Sequence, residues 1–424
     1  MQRRNFIRLV GGGVVASSLA TLTACSDAFP AEAVAAWQGP GNEPDVRRWA
    51  LAYAILAPNS HNRQPWLVDV REPNSITLYV DRERMLPMTD PWFRQIVVSQ
   101  GTFLESLVLA LRERGLRPEV QLFPQGEFKP REVDDRPVAR VSWVGNPVAS
   151  VAPASAPASP GKESPQMPGK DPLFAQLLLR HTAKVDYDIT RAVAPATLDA
   201  LRSALTRGGV DADASGMYGR VDGVKFGGTV DADKLEPLRT LCWESARTEL
   251  LTPRTLMESV RLTRVGPGEI AQYRDGISVN GWLPRMASSV GAFDRTGPPA
   301  QGSTAYKQMM GRFEGHSRTA MGFVWLSTPT AHHAVAGTPR SAEVQAGRAY
   351  MRLQLKATEL GLQVHPMSQA PQEFAEMKPW YDRLHTTLLG KPASEETVQM
   401  FCRIGYCAPQ QHTPRRDLQG FLRA

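Results

Sequence analysis

The chain is poor in the residue patterns that announce the common catalytic and metal-binding machineries. It has only four cysteines in 424 residues. No CxxC, no HExxH and no acidic calcium loop occurs, which excludes zinc and calcium sites of those spacings. The adjacent pair His332 and His333 has no nearby acid or third histidine and reads as loop residues. There is no GxSxG elbow for serine hydrolysis, and no GxGxxG or GxxxxGK[ST] loop for a dinucleotide or phosphate. Long Lys/Arg blocks are absent, so the net charge of +7 gives no basis for a nucleic-acid partner. No apolar run is long enough to cross a bilayer well. What remains is a globular composition, 42% apolar and 21% charged, with length for one large or two ordinary domains.

The first 25 residues stand apart. Arg3-Arg4-Asn5-Phe6-Ile7-Arg8 precedes a Gly/Ser-rich apolar stretch, and Leu22-Thr23-Ala24-Cys25 closes it. The first run resembles a twin-arginine export signal and the second a bacterial lipobox. These resemblances imply recognition by the twin-arginine translocation machinery and a membrane tether through lipidated Cys25. The expected location is periplasmic or membrane-anchored. Gly11–Gly13 belong to this segment and form no phosphate loop. With Cys25 set aside, Cys242, Cys402 and Cys407 are an odd number and suggest small core residues rather than a disulfide framework.

Composition then divides the chain. Residues 26–44 are rich in Pro, Ala and Gly and read as a tether. Residues 45–146 form a first unit, residues 147–170 a Pro/Ala/Ser-rich linker, and residues 171–416 a second unit. Helical periodicity marks 44–56, 101–115 and 341–361, the last two stopped by Gly115 and Gly361. WLVDV and SITLYVD form a hairpin signal, and EVQLFP, PVARVSWV, MGFVWLSTP, LQVHPMSQ and TVQMFCRIGY read as further strands. Residues 263–304, rich in Gly and Pro with Trp282 among them, read as a long loop insertion that would cover a site. The alternation lacks regular βα spacing, which predicts an α+β layered fold of two halves, each a sheet packed by helices.

Two stretches carry candidate chemistry. Ala57-Pro58-Asn59-Ser60-His61-Asn62-Arg63-Gln64-Pro65-Trp66 is a proline-stiffened polar turn between apolar elements. It could present fixed polar groups to a flat heteroaromatic ring, or be an ordinary connection. Arg180-His181-Thr182-Ala183-Lys184 puts two cations and a hydroxyl together before a helix, suited to a phosphate or to a solvated helix end.

Together these stretches resemble the FMN-dependent nitroreductase-like family. Arg180-His181-Thr182-Ala183-Lys184-Val185-Asp186-Tyr187-Asp188 resembles its opening signature, and residues 58–66 its P-S-x-x-N-x-Q-P-W loop. Gly361-Leu362 through Ser368 resembles its late helix-to-strand segment, and Ile404-Gly405-Tyr406 with Pro414-Arg415-Arg416 its terminal strand and basic tail. The loop precedes the signature here, an order similar to a fused, double-length subgroup in which one chain forms a pseudo-dimer. The resemblance implies one FMN between the halves. Arg180 and Arg416 or Arg415 would hold the phosphate, with His181 and Thr182 beside it. Lys184 would serve as a tuning cation at the pyrimidine edge. Pro58, Asn59, Ser60, Asn62 and Gln64 would line the ring and ribityl chain, and Pro366, Met367 and Ser368 would face N5. The implied activity is hydride or electron transfer between a small-molecule donor and acceptor, with no acid–base pair required of the protein. A non-catalytic flavin-binding lipoprotein and a flavin-free envelope binding protein are the alternatives. The flavin readings require the two stretches to meet in space although more than a hundred residues separate them.

Overall fold

The computed structural model describes residues 27–145, 170–206, 223–289, 295–330 and 339–423. The export signal, the 147–170 linker up to residue 169, and His332–His333 lie outside the described residues. A short helix α1 (Ala31–Val34) and a 3-10 turn precede α2 (Val46–Ala54), whose first turn is capped by the Asp45 carboxylate on the Arg47 N–H. Residues 27–44 are therefore not the expected tether. Trp37 is buried, its indole N–H donates to the Thr413 carbonyl, and Ala33 accepts from the Arg415 N–H.

The first half builds the antiparallel hairpin β1 (Trp66–Asp69) and β2 (Ser75–Val80), then α3 (Arg94–Glu113), then β3 (Glu119–Leu122) and β4 (Ala139–Ser142). The strand order is β1-β2-β4-β3. Trp66, Val68, Ile76, Leu78 and Val80 are all buried, the period-2 pattern of a sheet with one face on the core. Helix α3 starts seven residues before the expected Gly101. The Asp90 carboxylate accepts from the Gln95 and Ile96 N–H groups, so a preceding turn satisfies the helix start.

The second half runs α4 (Pro195–Thr206), β5 (Lys225–Thr229), α5 (Ala232–Leu251) and α6 (Pro253–Arg261). It continues with β6 (Thr263–Val265), α7 (Gly266–Tyr273), β7 (Ile277–Val279) and α8 (Trp282–Ser289). It ends with α9 (Thr304–Arg318), β8 (Gly322–Pro329), α10 (Arg340–Glu359), β9 (Gln363–Pro366), α11 (Lys378–Leu389) and β10 (Glu396–Gly405). The main sheet has order β5-β8-β10-β9 with antiparallel neighbours. The insertion is not a plain loop, because β6 and β7 pair in parallel and α7 and α8 pack beside them. Pro267 near the start of α7 is placed where a missing N–H costs least. Cys242 and Cys402 are buried as expected, but Cys407 lies beyond the end of β10 and is half-buried.

The two halves meet where α3 crosses α10. A Cβ on Gly101 would lie 2.0 Å from the Val344 carbonyl oxygen, and one on Gly347 would lie 1.9 Å from that of Val98. Only hydrogen at both positions allows this backbone approach. Buried ions flank the crossing. Glu105 accepts from Arg348 and Arg352 at 2.9 Å each, and Arg352 also reaches Asp171 at 3.0 Å. Arg94 pairs with Glu373 and donates to the Gln399 and Pro371 carbonyls. The chain's end then returns to the first half. Phe421 packs against Trp66, and the Arg423 N–H donates to the Val68 carbonyl.

The crossing gives a direct test. Gly347→Ala should lower unfolding stability by about 2–3 kcal/mol in urea titration, because its methyl meets backbone that cannot rotate away. An unchanged midpoint would mean the helices are not in that contact.

Candidate functional site

The 57–66 turn leaves the carboxyl end of α2 in an uncommon conformation. His61, Asn62 and Gln64 have φ of 50°, 51° and 52°, the left-handed region, with no glycine among them. Such clustering stores backbone strain that surrounding contacts must hold. Asn59 Oδ1 accepts the Gln64 N–H at 2.7 Å, and its Nδ2 donates to the Ala57 carbonyl. Thr102 donates to the Pro58 carbonyl, Gln100 to that of Pro65, and the Trp66 indole to that of Ser99. Ser60 Oγ donates to Gln95 Oε1. Asn62 Nδ2 donates to the Pro414 carbonyl, Gln64 Nε2 to that of Arg274, and Gln64 Oε1 accepts the Arg416 N–H. The amide side chains expected to line a ring are thus committed to holding the turn, and they fasten the carboxyl-terminal tail onto it.

Two guanidiniums converge on the same turn. Arg180 Nη2 donates to the Leu56 carbonyl at 2.9 Å, and Arg415 Nη2 donates to it at 3.0 Å. Arg415 also donates to the Ile55 carbonyl and to Asn62 Oδ1. These acceptors terminate α2, where the helix dipole favours cations. The signature and the polar turn therefore meet across the two halves. Both guanidiniums lie against the Trp37 ring, 5.5 and 5.2 Å from its centroid. Trp37 is in turn stacked on His412 at 4.2 Å. Among the described residues neither arginine has a carboxylate partner. Burial pushes Arg180 down to about 10. Burial and then the neighbouring Arg180 hold Arg415 well below the ordinary arginine range. Arg180 Nε and His181 Nε2 are buried with no partner. Two buried cations without a carboxylate partner among the described residues, one with an unmet Nε donor, suit an anion such as a phosphate.

Arg416 does not join this pair. It donates to the Gln64 carbonyl, lies 4.0 Å from Asp81 and stacks on Phe421. The tail arginine beside Arg180 is Arg415. Thr182 Oγ1 accepts from Arg180 at 3.4 Å.

A second group of positive charge adjoins the signature. Lys184 and Arg312 are exposed to solvent yet deeply set in protein, the condition of side chains standing in an open cleft. The surroundings push the Lys184 ammonium down to about 8, with Arg312 adding to the effect, and Arg312 is itself lowered by burial. Neither has a carboxylate partner among the described residues. His61, which feels the Lys184 charge, is held down to about 3, first by burial, then by Lys184 and Arg63. Its Nε2 is 3.0 Å from Ser259 Oγ on α6, so the helix before the insertion closes over the turn. Glu258, one residue earlier, accepts from the Met88 and Thr89 N–H groups. Burial also holds His316 down to about 3 and His365 well below its usual range, with Arg403 the next cause for each. Arg403 Nε donates to His365 Nδ1 at 3.0 Å, which leaves the proton of the neutral ring on Nε2.

The late strand only partly reaches this cleft. His365 does, through His316 and Arg403. Pro366 is opposite Cys402 in the ladder, and Ser368 is half-buried. Met367 corrects the expectation: its side chain packs in a core cluster with Leu235, Leu241 and Phe401, and its N–H donates to the Phe401 carbonyl. Trp37, His412, Arg312, His316 and Arg403 escaped the sequence reading, since no spacing connects them. Among the described residues no group of three or more His, Cys, Asp or Glu is placed to hold a metal.

No family model matches the chain. A Mycobacterium tuberculosis protein provisionally named NAD(P)H nitroreductase is 37% identical over 83 residues, 19% of this chain and 24% of its own. A second from that organism, with the provisional name NAD(P)H nitroreductase acg, is 32% identical over 80 residues with the same coverages. The chain thus spans about a quarter of the length of the curated relatives it matches. Among solved structures, iodotyrosine deiodinase bound to FMN and 3-iodo-L-tyrosine aligns over 58% of this chain and 96% of its own, at 14% identity and a TM-score of 0.32. An FMN-bound nitroreductase of Bacteroides fragilis aligns over 58% and 95%, at 13% and 0.30.

The buried histidines set an acid limit. Below the ordinary histidine value of 6.5 the unfolded chain takes up protons that folded His61 refuses until about 3. Stability should therefore fall as pH drops through that window. Lys184 works in the same sense at higher pH, with stability rising between about 8 and 10.5. His61→Asn, which tolerates the left-handed backbone, should lose less of its urea midpoint than wild type through the acid window. An equal loss would contradict the buried, neutral state assigned to His61.

Proposed function

We propose that the chain is an exported FMN-dependent oxidoreductase of the nitroreductase type, a pseudo-dimer with one FMN between its halves. The observation that carries this is the pair Arg180 and Arg415, buried together with no carboxylate partner among the described residues, at the turn that resembles the family's flavin loop. The unmet donor on Arg180 Nε fits an oxyanion. Lys184 and Arg312 in the open cleft fit the electron-rich edge of a heteroaromatic ring. The provisional names of the short-range relatives and the motif resemblance point the same way.

FMN supplies the hydride and electron chemistry when bound. The chain's part is to neutralise the phosphate through Arg180 and Arg415 and to fix the turn by the Asn59, Asn62 and Gln64 bonds. Lys184 sets the charge at the pyrimidine edge. A cation there favours the reduced, more negative ring. The donor and acceptor are small molecules, and nicotinamide is a poor candidate for a donor outside the cytoplasm. A non-catalytic flavin-binding lipoprotein is the second reading. It is favoured by the way α6 closes over His61 through Ser259 and is pinned through Glu258.

Both readings expect yellow protein. The first expects bleaching by a reductant and recolouring by a quinone or nitro compound, and the second expects no turnover with any pair. Arg180→Met should weaken FMN binding by about 10- to 100-fold, the worth of one charge-assisted bond. Lys184→Met should retain flavin but lower its reduction potential. Colourless wild-type protein that takes up no added FMN would end both readings.

A further inference from the structure

The insertion carries a face that the site does not use. Of ten large apolar side chains exposed in the described chain, four lie between residues 273 and 286: Tyr273, Trp282, Leu283 and Met286. Trp282 and Met286, 59% and 58% exposed, are four residues apart on α8 and so share one helix face. Arg285 on the same helix has no carboxylate partner among the described residues. Helix α7, which Tyr273 ends, packs against α8 and against α1.

The start of the described chain is strapped just ahead of α8. Asn280 Nδ2, two residues before Trp282, donates to the Asp27 and Ala28 carbonyls at 3.2 and 2.7 Å. Gln411 also donates to the Asp27 carbonyl. Cys25 is two residues before Asp27, a chain reach of about 7 Å. A chain anchored at Cys25, or in the apolar stretch before it, enters the described body at Asp27, next to Asn280 just ahead of α8. An exposed Trp, Leu and Met beside an Arg with no carboxylate partner among the described residues is the composition that settles at a headgroup boundary, the indole at the interface and the cation toward anionic lipid.

We propose that the Trp282–Met286 face of α8 docks on a phospholipid bilayer surface, next to the point where the chain is anchored. The docking rests on the proposed tether for its geometry, and its consequence for electron acceptors rests on the flavin reading. It would hold the insertion, and the α6 closure over His61 that leads into it, against the membrane plane, so that apolar acceptors dissolved in lipid meet this side of the protein.

The test uses the full-length chain and vesicles of phosphatidylethanolamine with a minor share of phosphatidylglycerol. Vesicle flotation is measured first, then peroxide oxidation of each methionine by peptide mass spectrometry. On vesicle-bound protein Met286 should oxidise several-fold more slowly than in solution, while Met88, exposed but outside the face, keeps its rate. In a Cys25→Ala background, replacing Trp282, Leu283 and Met286 by Ser should reduce flotation several-fold. Flotation with Met286 still fully oxidised leaves the tether standing and overturns the docking. A chain that does not float overturns the docking with the tether. Protection of Met286 that rises with protein concentration, without vesicles, overturns it in favour of pairing between two copies. Flotation and protection of the Cys25→Ala chain supports docking without the lipid.

Discussion

Two guanidiniums drawn to one carbonyl hold the molecule's plan together. Arg180 and Arg415 come from opposite ends of the second half, and both reach Leu56 at the end of α2 in the first. Two buried like charges repel, and burial alone costs several kcal/mol per ion. The helix dipole, the Ile55, Leu56 and Ala57 carbonyls and the Trp37 ring offset part of that cost. No carboxylate among the described residues offsets the rest. An arrangement that keeps two cations there without a counter-ion is poised for an anionic ligand. The strained 57–66 turn, the Asn62 and Gln64 clips and the return of the tail all serve to keep it in place.

The second constraint is the helix crossing. Because Gly101 and Gly347 let α3 and α10 touch backbone to backbone, the halves form one body rather than two tethered domains. The Glu105, Arg348, Arg352 and Asp171 network fixes that contact in register, since removing one member leaves a buried charge unpaired. The cleft of Lys184, His61, His316 and Arg312 is drawn from both halves, and its histidines are kept neutral by burial among cations. It is a positively charged space next to the Arg180–Arg415 pair.

Much of this was legible in the chain. The strands announced themselves by alternation, and α10 by a long apolar period that ended at Gly361. The pairing of the polar turn with Arg180–Lys184 was implied by the resemblance of both stretches to family motifs, and Arg180 does reach the end of α2 where the turn begins. What the sequence hid was tertiary. The start of α3 is set by Asp90 from outside the helix, so periodicity placed it too late. Trp37 sits in a stretch whose composition reads as linker, yet its partners, Arg180, Arg415 and His412, lie more than a hundred residues away. Met367 follows the last residue of β9, and only the packing of the second core shows that it turns inward. Short helices in the insertion were masked by Gly and Pro, which here begin helices as well as break them.

The central claim is that the halves make one flavin site and not two. Titration of the purified full-length chain with FMN, followed by flavin fluorescence quenching, measures it directly. The account predicts saturation at one FMN per chain, lost when Arg180 and Arg415 are both replaced by Met. Saturation at two per chain, or binding undiminished in the double variant, would contradict it.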